Sequence, residues 1–434
     1  MRNGVVGRRS IAVVGSGVAG LTAAYMLAQR DRVTLFEADT RMGGHAHTHV
    51  VDRGDGQSVA VDSAFLVHND RTYPTLCRLF DELGIATHET EMSMSVRADG
   101  IGLEYAGARG IGGLFPSLAT ATRPQYLRML TEVKRFHRTA TALLAGELTD
   151  ELETLGSFLG RHNFSRFFVT HFMTPLVAAV WSCAPGAAMD YPARYLFNFL
   201  HHHGMLSVFG SPKWRTVQGG SATYVNKVLE RIDEVHAGMP VHAVERNRDG
   251  VEVTAGCLGP RQFDSVVVAT HPDQALLMLV SPTDAERRVL EAIPYSTNHA
   301  RLHTDESVLP RRRRARASWN YLATDNHDEV VVTYDVSRLM GLAGPRRFLV
   351  TLGDGHRIDP SQVVAEMTYA HPLYTPESVA AVQLLPTLGD DRVVFAGAYH
   401  GWGFHEDGAA SGLAAAQRLG ARWPVTEELE DVAC

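Results

Sequence analysis

An α/β fold built on a parallel, Rossmann-like sheet is predicted by three features near the N-terminus. Ile11 to Val14 is an apolar run ended by glycine, the pattern of a strand buried on both faces. Gly15, Gly17 and Gly20 then form GxGxxG, and Leu21 to Ala28 has helical composition. "RVTLFE", Arg32 to Glu37, reads as a second strand closed by an acid.

Each element has a physical reason. Gly15 permits a tight turn and Gly17 lets the backbone approach a pyrophosphate. Gly20 lets helix and strand pack closely, and the helix N-terminus offers N–H groups and its dipole to phosphate. Glu37 can accept hydrogen bonds from ribose hydroxyls. A lone GxGxxG says little, but strand, glycines, helix, strand and acid in this order point to a dinucleotide.

Composition narrows the function classes. The chain has 434 residues, 45% hydrophobic and 21% charged, enough for two or three folding units or one large domain with insertions. A net charge of −7 gives no reason to expect nucleic acid as a partner. The four cysteines, Cys77, Cys183, Cys257 and Cys434, form no CxxC pair, so a reducing compartment is expected. "MRNGVVGRRSIAVVGSG" lacks the apolar core of a signal peptide. No apolar run is long enough to span a bilayer. A cytoplasmic protein is expected, one able to sit at the inner face of the membrane.

"MGGHAHTHV" raises a second question. His45, His47 and His49 are spaced by two, which on a strand puts three imidazoles on one face. That suggests a metal site, but the glycines have a dinucleotide explanation and no metal is expected. The motif alone does not separate NAD from FAD. The residues after Glu37 do: "EADTRMGGHAHT" resembles the segment of the amine-oxidase and phytoene-desaturase superfamily in which an acid is followed by a basic residue and GG. The resemblance implies a chain running along the FAD pyrophosphate and ribityl groups. It makes Gly15, Ser16, Gly17, Ala19, Gly20, Glu37, Ala38, Arg41, Gly43, Gly44 and His45 candidate cofactor residues, with histidine at 45 where many members carry arginine.

Three later segments fit the same resemblance. "GMPVHAVERNRDGVEVTAG" reads as two strands about a turn, and the resemblance implies adenine contacts from the Val241 backbone. "QFDSVVVATHPD" ends a buried strand at Ala269-Thr270, like the strand that returns beside the dinucleotide. "DRVVFAGAYHGWGFHEDGAASGLAAAQRL" gives a strand to Ala396, a turn at Gly397 and a helix from Glu406 to Leu419. In the family that helix aims its N-terminus at the flavin pyrimidine, which maps onto His405, Glu406 and Asp407. Ala398 stands where the family often has an acid. The stretch has no cysteine for a thioether; non-covalent FAD is expected, with His45 or His400 the residues through which a covalent bond would form. "WRTVQGGSATYVNKVLERI" resembles the GG helix start of flavin amine oxidases.

Together these segments resemble bacterial FAD-dependent oxidoreductases of that superfamily over nearly the whole chain. The expected fold is α/β, a Rossmann-like FAD-binding domain of amine-oxidase type with an inserted α+β substrate-binding domain. The expected boundaries are 8–70, 214–290 and 389–424 for FAD, 71–213 and 291–388 for substrate, and 425–434 as a tail. Members are often encoded beside methyltransferases of the cyclopropane-fatty-acid synthase type. This implies a lipid acyl substrate and association with a fatty-acyl methyltransferase.

Within the insertions, "TRPQYLRMLTEVKRFHRTATALLAG" reads as an amphipathic helix with Leu127, Leu130, Val133 and Phe136 on one face. "FVTHFMTPLVAAVW" is apolar and suits a core helix or an acyl tunnel. "FLHHHGML" is read as polar lining or surface. "PRRRRARASWNY" is the one dense basic run, a solvated loop or a site for a phospholipid headgroup or acyl carrier protein. Tyr399, His400 and His45 are the catalytic candidates, with His47 and Trp402 beside them; none is assigned as base. The expected reaction is hydride removal from a C–H bond of an apolar substrate, with a lipid acyl chain as the first candidate. Oxidation of a soluble amine and redox-neutral double-bond isomerisation are the rivals.

Overall fold

The computed structural model describes residues 8–146, 153–181, 186–207, 210–323, 331–353 and 355–423. The expected tail, 425–434, with Cys183 and Cys434, lies outside them. The chain divides into two compact units. One holds Met1–Gly44, Val225–Leu290 and Leu385–Cys434; the other holds His45–Tyr224 and Glu291–Leu384.

The first unit is the predicted α/β layer. Strands β1 (Ser10–Val14), β2 (Arg32–Phe36), β3 (Glu234–His236), β7 (Ser265–Val268) and β8 (Val393–Phe395) form a parallel sheet in the order β3-β2-β1-β7-β8. Between β3 and β7 the strands β4 (Val241–Asn247), β5 (Gly250–Ala255) and β6 (Pro260–Phe263) form a separate antiparallel sheet. The central strands are apolar and covered, so all residues from Ile11 to Val14 and from Val266 to Val268 are buried. Helix α1 (Val18–Ala28) starts three residues earlier than its composition suggests, because Gly17 caps it. Helix α2 (His405–Arg418) packs against α1.

The second unit is α+β. Its seven-stranded sheet runs in the order 363–372, 295–303, 349–352, 331–335, 319–323, 94–98, 103–107. All neighbours are antiparallel except 319–323 with 94–98. Helices 124–145, 155–161, 174–181 and 193–202 belong to the same unit.

The division differs from the expected boundaries at residues 385–388, which fall in the first unit, and at two longer stretches. Residues 45–70 and 214–224 fall in the second unit, not with the FAD segments. Local pairing explains this: Thr48–Asp52 pairs with Ser58–Asp62, and Trp214–Val217 pairs with 68–69 and 87–90, so neither joins the parallel sheet. The buried Asp62 carboxylate ties these pieces together, accepting from Thr48 Oγ1 and from Ser221 N and Oγ. Burial pushes its pKa up to about 6.

Two further expectations need correction. In the helix Pro124–Ala145 the buried face is Tyr126, Met129, Glu132, Phe136 and Ala140, while Leu127 is exposed. The face turns because Glu132 is taken inside to accept from Ser165 N (3.0 Å) and Oγ (2.5 Å), at the start of the short helix Arg166–Phe168. Of the three consecutive histidines, His201 and His202 are exposed but His203 is buried, bonded to Thr72 Oγ1 at 3.1 Å. Burial pulls its pKa down to about 3.

Candidate cofactor and active site

The turn after β1 is shaped by what surrounds it. Gly15 has φ +99°, donates its N–H to Phe36 O at 2.8 Å, and a Cβ there would lie 2.6 Å from Ala269 O. A Cβ on Gly20 would overlap Gly15 O and lie 3.3 Å from the Ala269 Cβ. These two glycines are therefore required by packing within the fold. Gly17 is different, since a Cβ there would meet no protein atom within 4 Å. It caps α1 with no side-chain hydrogen bond, so the first-turn N–H groups of α1 are not capped by a side chain.

Glu37 closes β2 and holds this turn. Its Oε2 accepts from Ser16 N (2.8 Å) and Ser16 Oγ (2.6 Å), and its Oε1 accepts from Asp39 N (2.9 Å). An ionised carboxylate has about four acceptor sites, so capacity remains for a ribose hydroxyl. Ser16 Oγ in turn accepts from Gly43 N at 2.9 Å, which links the GxGxxG turn to the second glycine pair. Gly43 and Gly44 have φ +110° and +56°, values that favour glycine. A Cβ on Gly44 would lie 3.1 Å from Gly17 Cα. Arg41 donates to Gly44 O at 2.8 Å and to Met42 O at 3.2 Å, so it braces this loop from within. Ala38 is exposed beside Glu37 and Ala19 is buried in α1.

The remaining candidates of this unit sit at the ends of β4, β7 and β8. Val241 opens β4. Ala269 N donates to Val14 O at 2.8 Å, which sets Ala269 and Thr270 beside Gly15. Gly397 is extended, its N–H donates to Ser411 Oγ at 2.9 Å, and its missing side chain makes room for the Tyr399 ring. Ala398 starts the short turn 398–400. His405, Glu406 and Asp407 form the first turn of α2.

Close packing brings the starts of α1 and α2 side by side. A Cβ on Gly408 would lie 2.5 Å from Val18 Cγ1, and one on Gly412 would overlap Ala19 O and lie 2.9 Å from Ala19 C. Two glycines four apart face one side of α2, and there the helix backbone rests directly on the first turn of α1. Both positive helix ends thus lie at one end of the parallel sheet. Asp407 turns back on its own helix start, accepting from Phe404 N at 2.9 Å. It is half-buried by area yet enclosed by protein atoms, and this burial pushes its pKa up to about 7.

Tyr399 and His400 are inward residues. Tyr399 is fully buried, its hydroxyl has no hydrogen-bond partner in the protein, and burial raises its pKa above the ordinary tyrosine value. His400 Nε2 is also unpartnered, and burial lowers its pKa to about 4, so the ring is neutral at pH 7. The two rings lie 4.8 Å apart. Tyr399 is therefore an inward-facing neutral phenol with its hydroxyl unpartnered by protein.

The histidines after Gly44 belong to the second unit and meet side chains far along the sequence. The ladder of Thr48–Asp52 continues through Ser63 N to His47 O and Phe65 N to His45 O, which keeps period two. His47 Nδ1 lies 3.0 Å from the Tyr369 hydroxyl, which is 2.7 Å from Ser63 Oγ, and Ser63 Oγ is 2.9 Å from His49 Nε2. The His47 and His49 rings stack at 4.1 Å, and His45 lies 5.0 Å from Tyr369 and 5.3 Å from His371. Sequence spacing indicated a shared face; Tyr369, Ser63 and His371 carried no local signal. Among the described residues no group of three His, Cys, Asp or Glu side chains could hold a metal.

The first unit fits a dinucleotide: Gly17 leaves space beside an uncapped helix start, two left-handed glycines bring a loop to it, and a second helix start lies alongside. Comparison with known proteins agrees. The family model described as flavin containing amine oxidoreductase matches residues 18–420. (S)-6-hydroxynicotine oxidase of Paenarthrobacter nicotinovorans is 26% identical over 282 residues, 64% of this chain and 63% of that relative, so the match spans less than two thirds of its length. Among solved structures, cyclohexylamine oxidase from Brevibacterium oxydans IH-35A has a TM-score of 0.68 at 16% identity, covering 94% of this chain and 98% of that one. The CLA-producing fatty acid isomerase from P. acnes has a TM-score of 0.66 at 15% identity, covering 93% and 97%. At these identities the two structures establish the amine-oxidase-type fold. The chain belongs to the flavin containing amine oxidoreductase family, with FAD as its cofactor.

Proposed function

We propose that the protein is an FAD-dependent oxidoreductase that removes hydride from a C–H bond of an apolar substrate, a fatty acyl chain bearing a double bond or methyl branch. A saturated C–H bond is a poor hydride donor, and an allylic or branched position is a better one. FAD, when bound, supplies the hydride acceptor. The protein's residues do the rest: α1 and α2 offer N–H groups and dipole ends to the cofactor, and Glu37 holds the turn that leads from β1 into α1. Tyr399 and His400 add a neutral, largely dry wall.

The observation that supports an apolar substrate lies in the second unit. Val169, Phe172, Leu176 and Val180 recur at helical spacing and are each only half-buried. The residues next to them in sequence, Phe168, Met173, Val177 and Trp181, about 100° round the helix, are buried. A π-turn at Val169–Met173 interrupts the helical run, a feature frequent at functional sites. This stripe is an accessible apolar surface within a substrate-side unit.

The rival, oxidation of a soluble amine, draws on the family description and on the name of the related (S)-6-hydroxynicotine oxidase. Anaerobic titration separates them. Purified yellow protein is mixed with detergent-dispersed phospholipid carrying unsaturated or methyl-branched chains, and in parallel with small amines. Loss of the absorption band near 450 nm on adding lipid supports the proposal; loss with amines alone overturns it.

A further inference from the structure

We propose that the second unit carries a docking surface for anionic lipid membranes, made by the segment 110–123 together with Arg311–Arg314. The hairpin 94–107 turns at Ile101, and the chain then folds back along its second strand in two short helices, Gly110–Leu114 and Leu118–Ala121. A Cβ on Gly113 would lie 3.0 Å from Ala106 O. Thr120 Oγ1 donates to Glu104 O at 3.4 Å, and Arg123 donates to Ile101 O at 2.7 Å. The segment therefore runs beside the strand from Ala106 back to Ile101.

The basic run reaches the same strand. Arg311 N and Arg312 N donate to the two Glu104 carboxylate oxygens at 2.9 and 3.0 Å, and a Cβ on Gly112 would lie 3.8 Å from Arg314 Cδ. Glu104 is buried, accepts these N–H groups and also lies 4.0 Å from Arg312 Nε, so it offsets Arg312 but reaches neither Arg313 nor Arg314. Arg311 reaches Asp99 at 3.5 Å, but among the described residues no carboxylate pairs with Arg313 or Arg314.

Apolar side chains stand in this frame. Ile111 is 79% exposed and Leu118 85% exposed, the latter among the highest values for any large apolar residue described, and Ile101 and Leu127 flank them at 40% and 41%. Isolated exposed apolar residues are ordinary; here they occupy consecutive helices bordered by four arginines. A protein partner with an acidic face would match the charge alone. A bilayer surface matches both features at once: interfacial insertion of Ile111 and Leu118, with guanidinium groups at the level of lipid phosphates. The chain's overall charge of −7 makes an arginine cluster necessary if such a surface is to be approached. Among the described residues no helix is long and apolar enough to cross a membrane, so this surface acts from one side.

The test is sedimentation of the flavin-loaded protein with vesicles of phosphatidylcholine alone or with phosphatidylglycerol added. Expected is binding to the anionic vesicles only, weakened by salt. Ile111→Glu with Leu118→Glu, and separately Arg313→Glu with Arg314→Glu, should each weaken binding at least about tenfold while the flavin absorbance per protein stays at the wild-type value. Wild-type protein that ignores anionic vesicles overturns the proposal, as does binding that either double variant leaves unchanged. Dimerisation lost on the same substitutions, without vesicle binding, also overturns it and assigns the face to a second copy. Binding is read without turnover, so its failure leaves the oxidoreductase reading standing; the detergent titration above tests that reading by itself.

Discussion

Replacing Gly412 by alanine places a methyl group where α2 leans on α1. The new Cβ would overlap Ala19 O and approach Ala19 C to 2.9 Å, against an ordinary carbon–carbon contact of about 3.5 Å. Both neighbours are backbone atoms in the first turn of α1, so no rotamer change relieves the overlap and the helices must separate. Overpacking of this kind costs roughly 1–3 kcal/mol. Alanine recovers up to about 1 kcal/mol of helix propensity over glycine. With the full propensity gain the net loss is about 0–2 kcal/mol, together with weaker FAD binding, since the two helix starts that address the cofactor move apart. Gly160→Ala is the control: it also lies in a helix, but its Cβ would meet nothing within 4 Å, so only the propensity gain applies. The assay is urea unfolding followed by flavin release, with the flavin-to-protein absorbance ratio of the purified variants. Gly412→Ala with the urea midpoint and flavin content of the wild type would refute the packing argument.

Two further predictions concern charge. Glu37→Gln keeps the shape but removes the ionised acceptor for Ser16 N and Oγ; a charge-assisted bond contributes about 1.5–3 kcal/mol, so the FAD dissociation constant should rise roughly tenfold or more in a fluorescence titration. Asp407, with a folded pKa near 7 against 3.8 for the free side chain, binds a proton in the fold that the unfolded chain has lost between those values. Its contribution to the stability of the cofactor-free protein is therefore full below about pH 4 and lost as pH rises through 7. Asp407→Asn should flatten that fall, as measured by urea midpoints at pH 5 and 8; parallel slopes for the two proteins would count against a raised Asp407.

The nucleotide half was readable because its signals are local. Gly15 and Gly20 lie in a turn whose strand and helix are both legible within about ten residues, although the Ala269 atoms that crowd them come from β7's end, and the helix after Gly397 starts within one residue of its expected place. Gly408 and Gly412 were legible as small residues, but their partners Val18 and Ala19 lie at the other end of the chain, so the crossing they permit was not. The same applies to Asp62, whose carboxylate finds Ser221, and to Tyr369, which gathers His45, His47 and Ser63. Sequence periodicity also misplaced the buried face of Pro124–Ala145, because it ranks Leu127 by hydrophobicity and Glu132 by charge, whereas the fold gives Glu132 two partners and leaves Leu127 outside.

The order of the parallel sheet has a consequence for biosynthesis. β1 is completed on one side by β2, which comes directly after it, but on the other by β7 and then β8, with α2 made last. At about 5–20 residues per second, roughly 12–46 s separate the emergence of β2 from that of β7, the strand that covers the other edge of β1. During that interval the nascent β1–β2 pair carries an apolar strand with one unpaired edge, the kind of surface that recruits chaperones or pairs with the wrong chain. A ribosome that stalls before Val393 would release a chain whose nucleotide turn is present but whose sheet cannot close.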